Sequence, residues 1–258
     1  MVMIIYNSVN QFVNYIASVA GQKTRYDGSQ DGREDFYGTQ TLSEAISLFE
    51  KGYNKPLKSL KKFAINCNNI YNNKFVVVND YRGSRPNIGR YLRGLPKQMK
   101  RYKKEQTNSN NLSLFIDGAV ACNVDFNDKL IWGEKILSII NTLQNNGVNL
   151  ELYIGALAGS KKDSTVPNEQ LAIKIKSFSE PINILALCFP ICHNSFFRRF
   201  DEIHYNATNN SNQSWGSNYP AYNTKIDGQK FIENNLSKNS IYISYKNIDE
   251  VVKKIEQK

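Results

Sequence analysis

Histidine is scarce in this chain, which holds only His193 and His204. The glycine patterns of nucleotide enzymes are absent. There is no glycine-x-serine-x-glycine elbow for a serine nucleophile, no phosphate-binding loop and no dinucleotide fingerprint. The adjacent acids Asp201/Glu202 and Asp249/Glu250 do not share a helix face, so two-carboxylate chemistry has no support. Four cysteines, Cys67, Cys122, Cys188 and Cys192, are scattered, as free thiols in a reducing compartment are. Cys188, Cys192 and His193 offer three soft ligands, but a fourth would have to come from Cys67 or Cys122 far away in sequence; the other reading is buried free thiols. The sequence therefore implies no metal, no cofactor and no motivated catalytic site. No apolar run approaches the ~18 residues of a membrane span. Residues 1–12 have neither the basic start nor the apolar centre of a secretory signal, so the glycosylation-type triplets at Asn206, Asn209 and Asn212 carry no weight. The expected location is an intracellular one without membrane contact.

Acidic residues are missing from one stretch in particular. Tyr81–Lys104 holds nine Lys/Arg and no Asp/Glu, while the whole chain has a formal charge of +10. The positive charge is thus a local feature. Arg82, Arg85, Arg90, Arg93, Lys97, Lys100, Arg101, Lys103 and Lys104 alternate with Tyr81, Tyr91 and Tyr102, and five glycines and prolines exclude one long helix. An extended, turn-rich basic segment with interspersed tyrosines suits phosphate contact and base stacking. Contact with an acidic protein partner and a plain solvated surface are the two other readings. Lys58, Lys61 and Lys62 could extend the patch. A second candidate surface is the polar loop Asn206–Asn223, long for a compact domain, where Trp215, Tyr219 and Tyr222 would meet a partner.

The remaining pattern is that of an α/β protein with a mixed sheet and helices on both faces. The apolar run Leu112–Val120 reads as a strand buried on both sides. A helix from Asp128 to about Asn145 and a strand over Val148–Leu157 complete a parallel βαβ unit, with Gly147 between them. Glu169–Ser179 alternates, and no helix fits before it, so it should pair antiparallel as an edge strand with its lysines outward. Later elements are a short helix over Pro181–Cys188 broken near Pro190, a helix from Asn194 or Ser195 to His204, a helix over Asp227–Leu236, a strand over Ser240–Tyr245 and a last helix after Asn247. Upstream, Ser8 caps a helix to Ala20, Gln22–Tyr37 is a loop, Thr41 and Glu44 form a capping box, and a helix from Asn54 runs to about Asn68. Arg198 and Arg199 should hold a carboxylate or a helix end rather than a ligand. The chain divides into a helical N-terminal region (1–73), a strand with the basic segment (74–110) and a sheet domain (111–258).

The order strand, helix, strand, antiparallel strand, helices resembles the von Willebrand factor A domain over residues 111–258. That family binds a divalent cation through Asp-x-Ser-x-Ser. Asp117 matches the aspartate, but Ala119 and Ala121 stand at the serines, so the resemblance implies a lost metal site and leaves Asp117 as a loop or cap residue. Asn87–Met99 and Phe197–Glu202 also resemble stretches of uncharacterised tailed-bacteriophage proteins. This implies a viral protein in the host cytoplasm or the virion and no known activity. The leading expectation is a non-enzymatic protein binding DNA or RNA through Tyr81–Lys104. The alternative is an interaction or assembly module on an A-like scaffold.

Overall fold

The computed structural model describes residues 3–20, 34–58, 75–104, 111–120, 124–158, 169–209 and 227–256. The chain enters through a short strand, β1 (Ile4–Tyr6), followed by α1 (Val9–Val19). Ser8 starts α1 by accepting the Gln11 N–H at 3.1 Å, which satisfies one of the orphan donors of the first turn. Phe12, Val13 and Ile16 turn inward. A short helix, α2 (Glu34–Tyr37), stands in the stretch that reads as loop. α3 (Leu42–Lys51) begins at Thr41, which accepts the Glu44 N–H. Glu44 reaches back to the Gln40 N–H at 2.7 Å, so the box closes one residue before the cap. The helix expected from Asn54 begins as a 3-10 turn, Lys55–Lys58; its expected continuation lies outside the described residues.

The strand expected over residues 74–80 is present as residues 75–80, and the extended, turn-rich basic segment after it folds back and pairs with it. They form a three-stranded antiparallel sheet of β2 (Phe75–Asp80), β3 (Arg85–Pro86) and β4 (Met99–Lys104), with β4 central and the helical turn α4 (Ile88–Leu92) between β3 and β4. Backbone pairing overrides the charge here, because a hairpin satisfies its donors and acceptors whatever its side chains carry.

The larger sheet is built on β5 (Asn111–Asp117), α5 (Phe126–Asn145) and β6 (Asn149–Ala158). Asp125 caps α5 by accepting the Asp128 N–H at 2.7 Å, so the cap lies three residues before the expected one. Gly147 takes φ +80°, a left-handed turn that glycine adopts without a Cβ penalty. β5 and β6 are parallel, in register from Asn111↔Asn149 to Asp117↔Gly155. β7 (Glu169–Lys176) runs antiparallel to β6. α6 (Ile184–Cys192) continues through Pro190 instead of breaking there. Residues Leu187 to Cys192 are all buried, and that apolar burial offsets the hydrogen bond lost at proline. A π-helical stretch, Phe196–Asp201, runs into α7 (Glu202–Asn209), in place of one helix ending at His204. α8 (Gly228–Asn235), β8 (Ser240–Ile243) and α9 (Ile248–Glu256) close the chain.

The strand order is β1-β7-β6-β5-β8. β7 is therefore not an edge strand: β1 pairs parallel with it, Ile4 opposite Leu171 and Tyr6 opposite Ile173. Its lysines are not simply outward either. Lys176 is buried and donates to the Leu150 carbonyl at 2.6 Å, and Lys174 pairs with Glu151 at 3.0 Å. Alternate residues of the strands face two cores. Leu114, Ile116, Leu152, Ile154, Leu171 and Ile173 pack with α1, α5, α6 and the π-helical stretch. Phe115, Tyr153, Ala172 and Tyr242 pack with Met3 and with Ile232 of α8. Each fully buried large apolar side chain contributes about 1.5–3 kcal/mol.

The Phe197–Glu202 run holds α2 and the residues after it onto this core. Arg198 donates to the carbonyls of Phe36, at 2.9 Å, and Val124, and its guanidinium lies over the Phe36 ring. Arg199, fully buried, donates to the Thr39 carbonyl at 2.7 Å and the Thr39 hydroxyl at 3.1 Å, and lies over Tyr37. Tyr37 in turn donates to Glu202 at 2.8 Å. Arg198 thus holds the end of α2 through the Phe36 carbonyl, one of the roles expected from sequence, and both arginines reach backbone carbonyls of segments distant in the chain.

Candidate nucleic-acid interface

In an antiparallel pair, directly opposed residues point to the same side of the sheet. The register Val77↔Tyr102, Asn79↔Lys100 and Arg85↔Lys100 places these five side chains on one face. All five are exposed, Val77 at 50% and Tyr102 at 57%. The other face carries Val78, Asp80, Pro86, Met99 and Arg101 by the same register. The only acid of the small sheet, Asp80, thus lies on the far side, where it meets Arg101 at 3.4 Å. The Tyr81 N–H and that guanidinium hold the Asp80 carboxyl below its usual range.

α4 adds to the surface. Asn87 caps it, and its side-chain amide donates to Asn79 at 2.9 Å, which ties the start of α4 to the exposed face. Ile88, Tyr91 and Leu92 stand out at 66%, 65% and 78% exposure. Gly83 lets β3 close on β4: a Cβ there would lie 2.2 Å from the Lys100 carbonyl oxygen.

The basic residues divide into two groups. Arg90 is half-buried and donates twice to the Pro96 carbonyl, at 3.2 and 2.9 Å, so it braces the loop after α4. Arg101 is engaged with Asp80. Arg82, Arg85, Arg93, Lys97 and Lys100 are exposed, and among the described residues their side chains make no hydrogen bond or ion pair. Lys103 and Lys104 lie on β4 opposite Val76 and Phe75. Of the aromatics, Tyr81, Tyr91 and Tyr102 are exposed. Lys61, Lys62, Trp215, Tyr219 and Tyr222 lie outside the described residues. Sequence reasoning missed Ile88 and Leu92, whose signal was apolar side chains inside a segment too basic to be a core, and Val77, which lies in the strand before that segment.

A second polar cluster is buried. Asp117, at the carboxyl end of β5, accepts hydrogen bonds from the Ala119 N–H at 3.1 Å and from the Tyr242 hydroxyl. Burial pushes its carboxyl up to about 6. Lys129 is also buried, donates to the Gly118 carbonyl at 3.2 Å and sits 3.8 Å from the Trp132 ring centre. Burial lowers its ammonium to about 7. Neither group reaches solvent, so the pair is part of the core. Cys188 and Cys192 are free and buried, and His193 accepts the Ser195 N–H through Nδ1 at 3.2 Å. Among the described residues no three metal-ligating side chains converge, and no helix is long and apolar enough to cross a membrane.

His204 is buried among Tyr6, Phe12 and Tyr15, with ring centres 5.7–5.9 Å away and no hydrogen bond at either nitrogen. Burial lowers its imidazolium to about 4. A depressed folded pKa favours the native state above the unfolded value of ~6.5, and this contribution is lost as pH falls through about 4. Asp117, with its raised pKa, acts in the opposite sense between its unfolded value and about 6. Comparison of His204→Phe with the natural chain isolates the histidine. The variant is expected to gain about 2–3 kcal/mol relative to the natural chain on going from pH 7 to pH 4.5. Urea unfolding at the two pH values measures it, and an unchanged difference would refute the assignment.

The family model described as a domain of unknown function, DUF7192, matches residues 1–257, and the chain belongs to that family. No curated protein and no solved structure matches it.

Proposed function

We propose that this protein binds nucleic acid, without an enzymatic activity, through the module of β2, β3, α4 and β4. One observation carries the reading: the side chains of Arg82, Arg85, Arg93, Lys97 and Lys100 are exposed and make no hydrogen bonds or ion pairs among the described residues. Side chains used to stabilise a fold are engaged, as Arg90 is with Pro96. Concentrating free cations on one module costs self-repulsion, which a polyanion relieves. The larger sheet serves as the scaffold. Its succession of strand, helix, strand and antiparallel strand supports an A-like reading, with Asp117 turned to a structural use. The resemblance of Asn87–Met99 to tailed-bacteriophage proteins supports a viral protein acting in the host cytoplasm or the virion.

The test is fluorescence anisotropy with labelled DNA and RNA across a salt series. Affinity should fall with salt, the slope reaching about −3.5 to −4.5 if all five cations meet phosphates. A variant with Arg82, Arg85, Arg93 and Lys100 changed to glutamate should bind at least ~100-fold more weakly. Absence of binding at low salt would overturn the proposal. A second reading, a protein-docking module, draws on exposed Ile88, Tyr91 and Leu92. It predicts binding that resists salt and fails on truncation of these apolar anchors.

A further inference from the structure

The natural question for such a module is which form of nucleic acid it takes. We infer that it takes single strands, with a base stacked on Tyr102 and the adjoining phosphates on Lys100 and Arg85; this rests on the nucleic-acid reading above.

Tyr102 sits on the central strand of the small sheet, directly opposite Val77. Together they make an apolar cross-strand pair on the face that carries Asn79, Lys100 and Arg85, and both are at least half exposed. Among the described residues of the small sheet, no acid shares that face. A duplex offers phosphates and groove edges but keeps its base faces stacked inside, so it would leave Val77 and Tyr102 uncovered. A single strand exposes base faces, and aromatic rings on a sheet or groove stack them regardless of sequence.

The spacing fits. Lys100 precedes Tyr102 by one repeat of the pleat, about 7 Å along β4, and Arg85 lies opposite Lys100 on β3. A base on the ring therefore has two cations beside its backbone, one on each of two adjacent strands. The module has no counterpart suited to groove reading. Its only helix, α4, has five residues, and its outward side chains include Ile88, Tyr91 and Leu92 in place of a row of hydrogen-bonding groups for base edges.

The experiment compares a single strand of roughly 12 nucleotides with the duplex of the same sequence, using the full chain at one fixed salt concentration. The single strand is expected to bind at least ~10-fold more tightly. Tyr102→Ala should weaken single-strand binding roughly 5- to 100-fold with the salt slope unchanged, because stacking releases no counterions. Tyr102→Phe, which keeps the ring, should retain the affinity, and far-UV circular dichroism of both variants checks the fold. Duplex binding as tight as single-strand binding, or a Tyr102→Ala variant that binds like the natural chain, would overturn the inference while leaving the nucleic-acid reading in place. Failure of both nucleic acids to bind would remove that reading and the inference with it.

Discussion

Gly155→Ala is expected to cost the native fold at least about 3 kcal/mol. Gly155 lies in the middle of β6, opposite Asp117 of β5 on one side and Ala172 of β7 on the other. A Cβ at this position would stand 1.9 Å from the Leu171 carbonyl oxygen and 2.8 Å from Cζ of the Phe115 ring. The first contact is with backbone, which has no rotamer to change. β6 cannot move aside, since it is hydrogen-bonded in register to both neighbours. Overpacking of a core typically costs 1–3 kcal/mol, and a backbone clash within a paired strand exceeds that range, so the loss should be at least about 3 kcal/mol. A domain with a total stability of ~5–15 kcal/mol then loses a substantial part of its margin. Urea unfolding followed by near-UV circular dichroism reads the effect. Gly89→Ala is the control: its Cβ would meet only the Asn87 side-chain oxygen at 3.7 Å, and alanine favours a helix over glycine by up to ~1 kcal/mol. A Gly155→Ala variant as stable as the Gly89→Ala control would show that the sheet is not packed as described.

Arg199→Ala should cost about 3–5 kcal/mol, the range seen when one member of a buried polar network is removed. The substitution leaves the Thr39 carbonyl and hydroxyl without their guanidinium donor and strips the cover from Tyr37. A cavity the size of the largest fully buried side chain adds to the loss. Arg199→Lys should recover little, because an ammonium lacks the planar fork that spans both Thr39 oxygens. The damage should concentrate where the clamp acts. Hydrogen exchange over Glu34–Thr41 is expected to accelerate more than exchange in β5 and β6. A variant within ~1 kcal/mol of the natural chain, with unchanged exchange there, would show that this segment is held by other contacts.

These two positions differ in how far sequence alone announces them. The parallel unit of β5, α5 and β6 was legible because its signals are local: a buried apolar run, one broad helical face and Gly147 at the turn. The antiparallel placement of β7 followed from the absence of room for a crossover. Ser8 and Thr41 were legible as caps for the same reason, since a cap bonds three residues away. The clamp was not legible. Arg198 and Arg199 read as charged residues near a helix, and their partners Phe36 and Thr39 lie some 160 residues earlier. Nor was the burial of Lys129 beside Asp117, because a lone lysine in a first helical turn looks like a solvated one.

The candidate interface shows the same division. The sequence by itself determined that positive charge and tyrosines are concentrated in Tyr81–Lys104, that a buried parallel pair follows, and where most helices begin. Composition and short-range periodicity survive any folding. Only the tertiary structure decided that β1 covers the edge of β7, that Arg90 and Arg101 are engaged while Arg82, Arg85, Arg93, Lys97 and Lys100 are not, and that Tyr102 and Val77 share a face with Lys100 and Arg85. Each of these depends on strand register or on contacts between segments far apart in the chain. A one-residue change of register in β4 would turn Lys100 and Tyr102 to the opposite face.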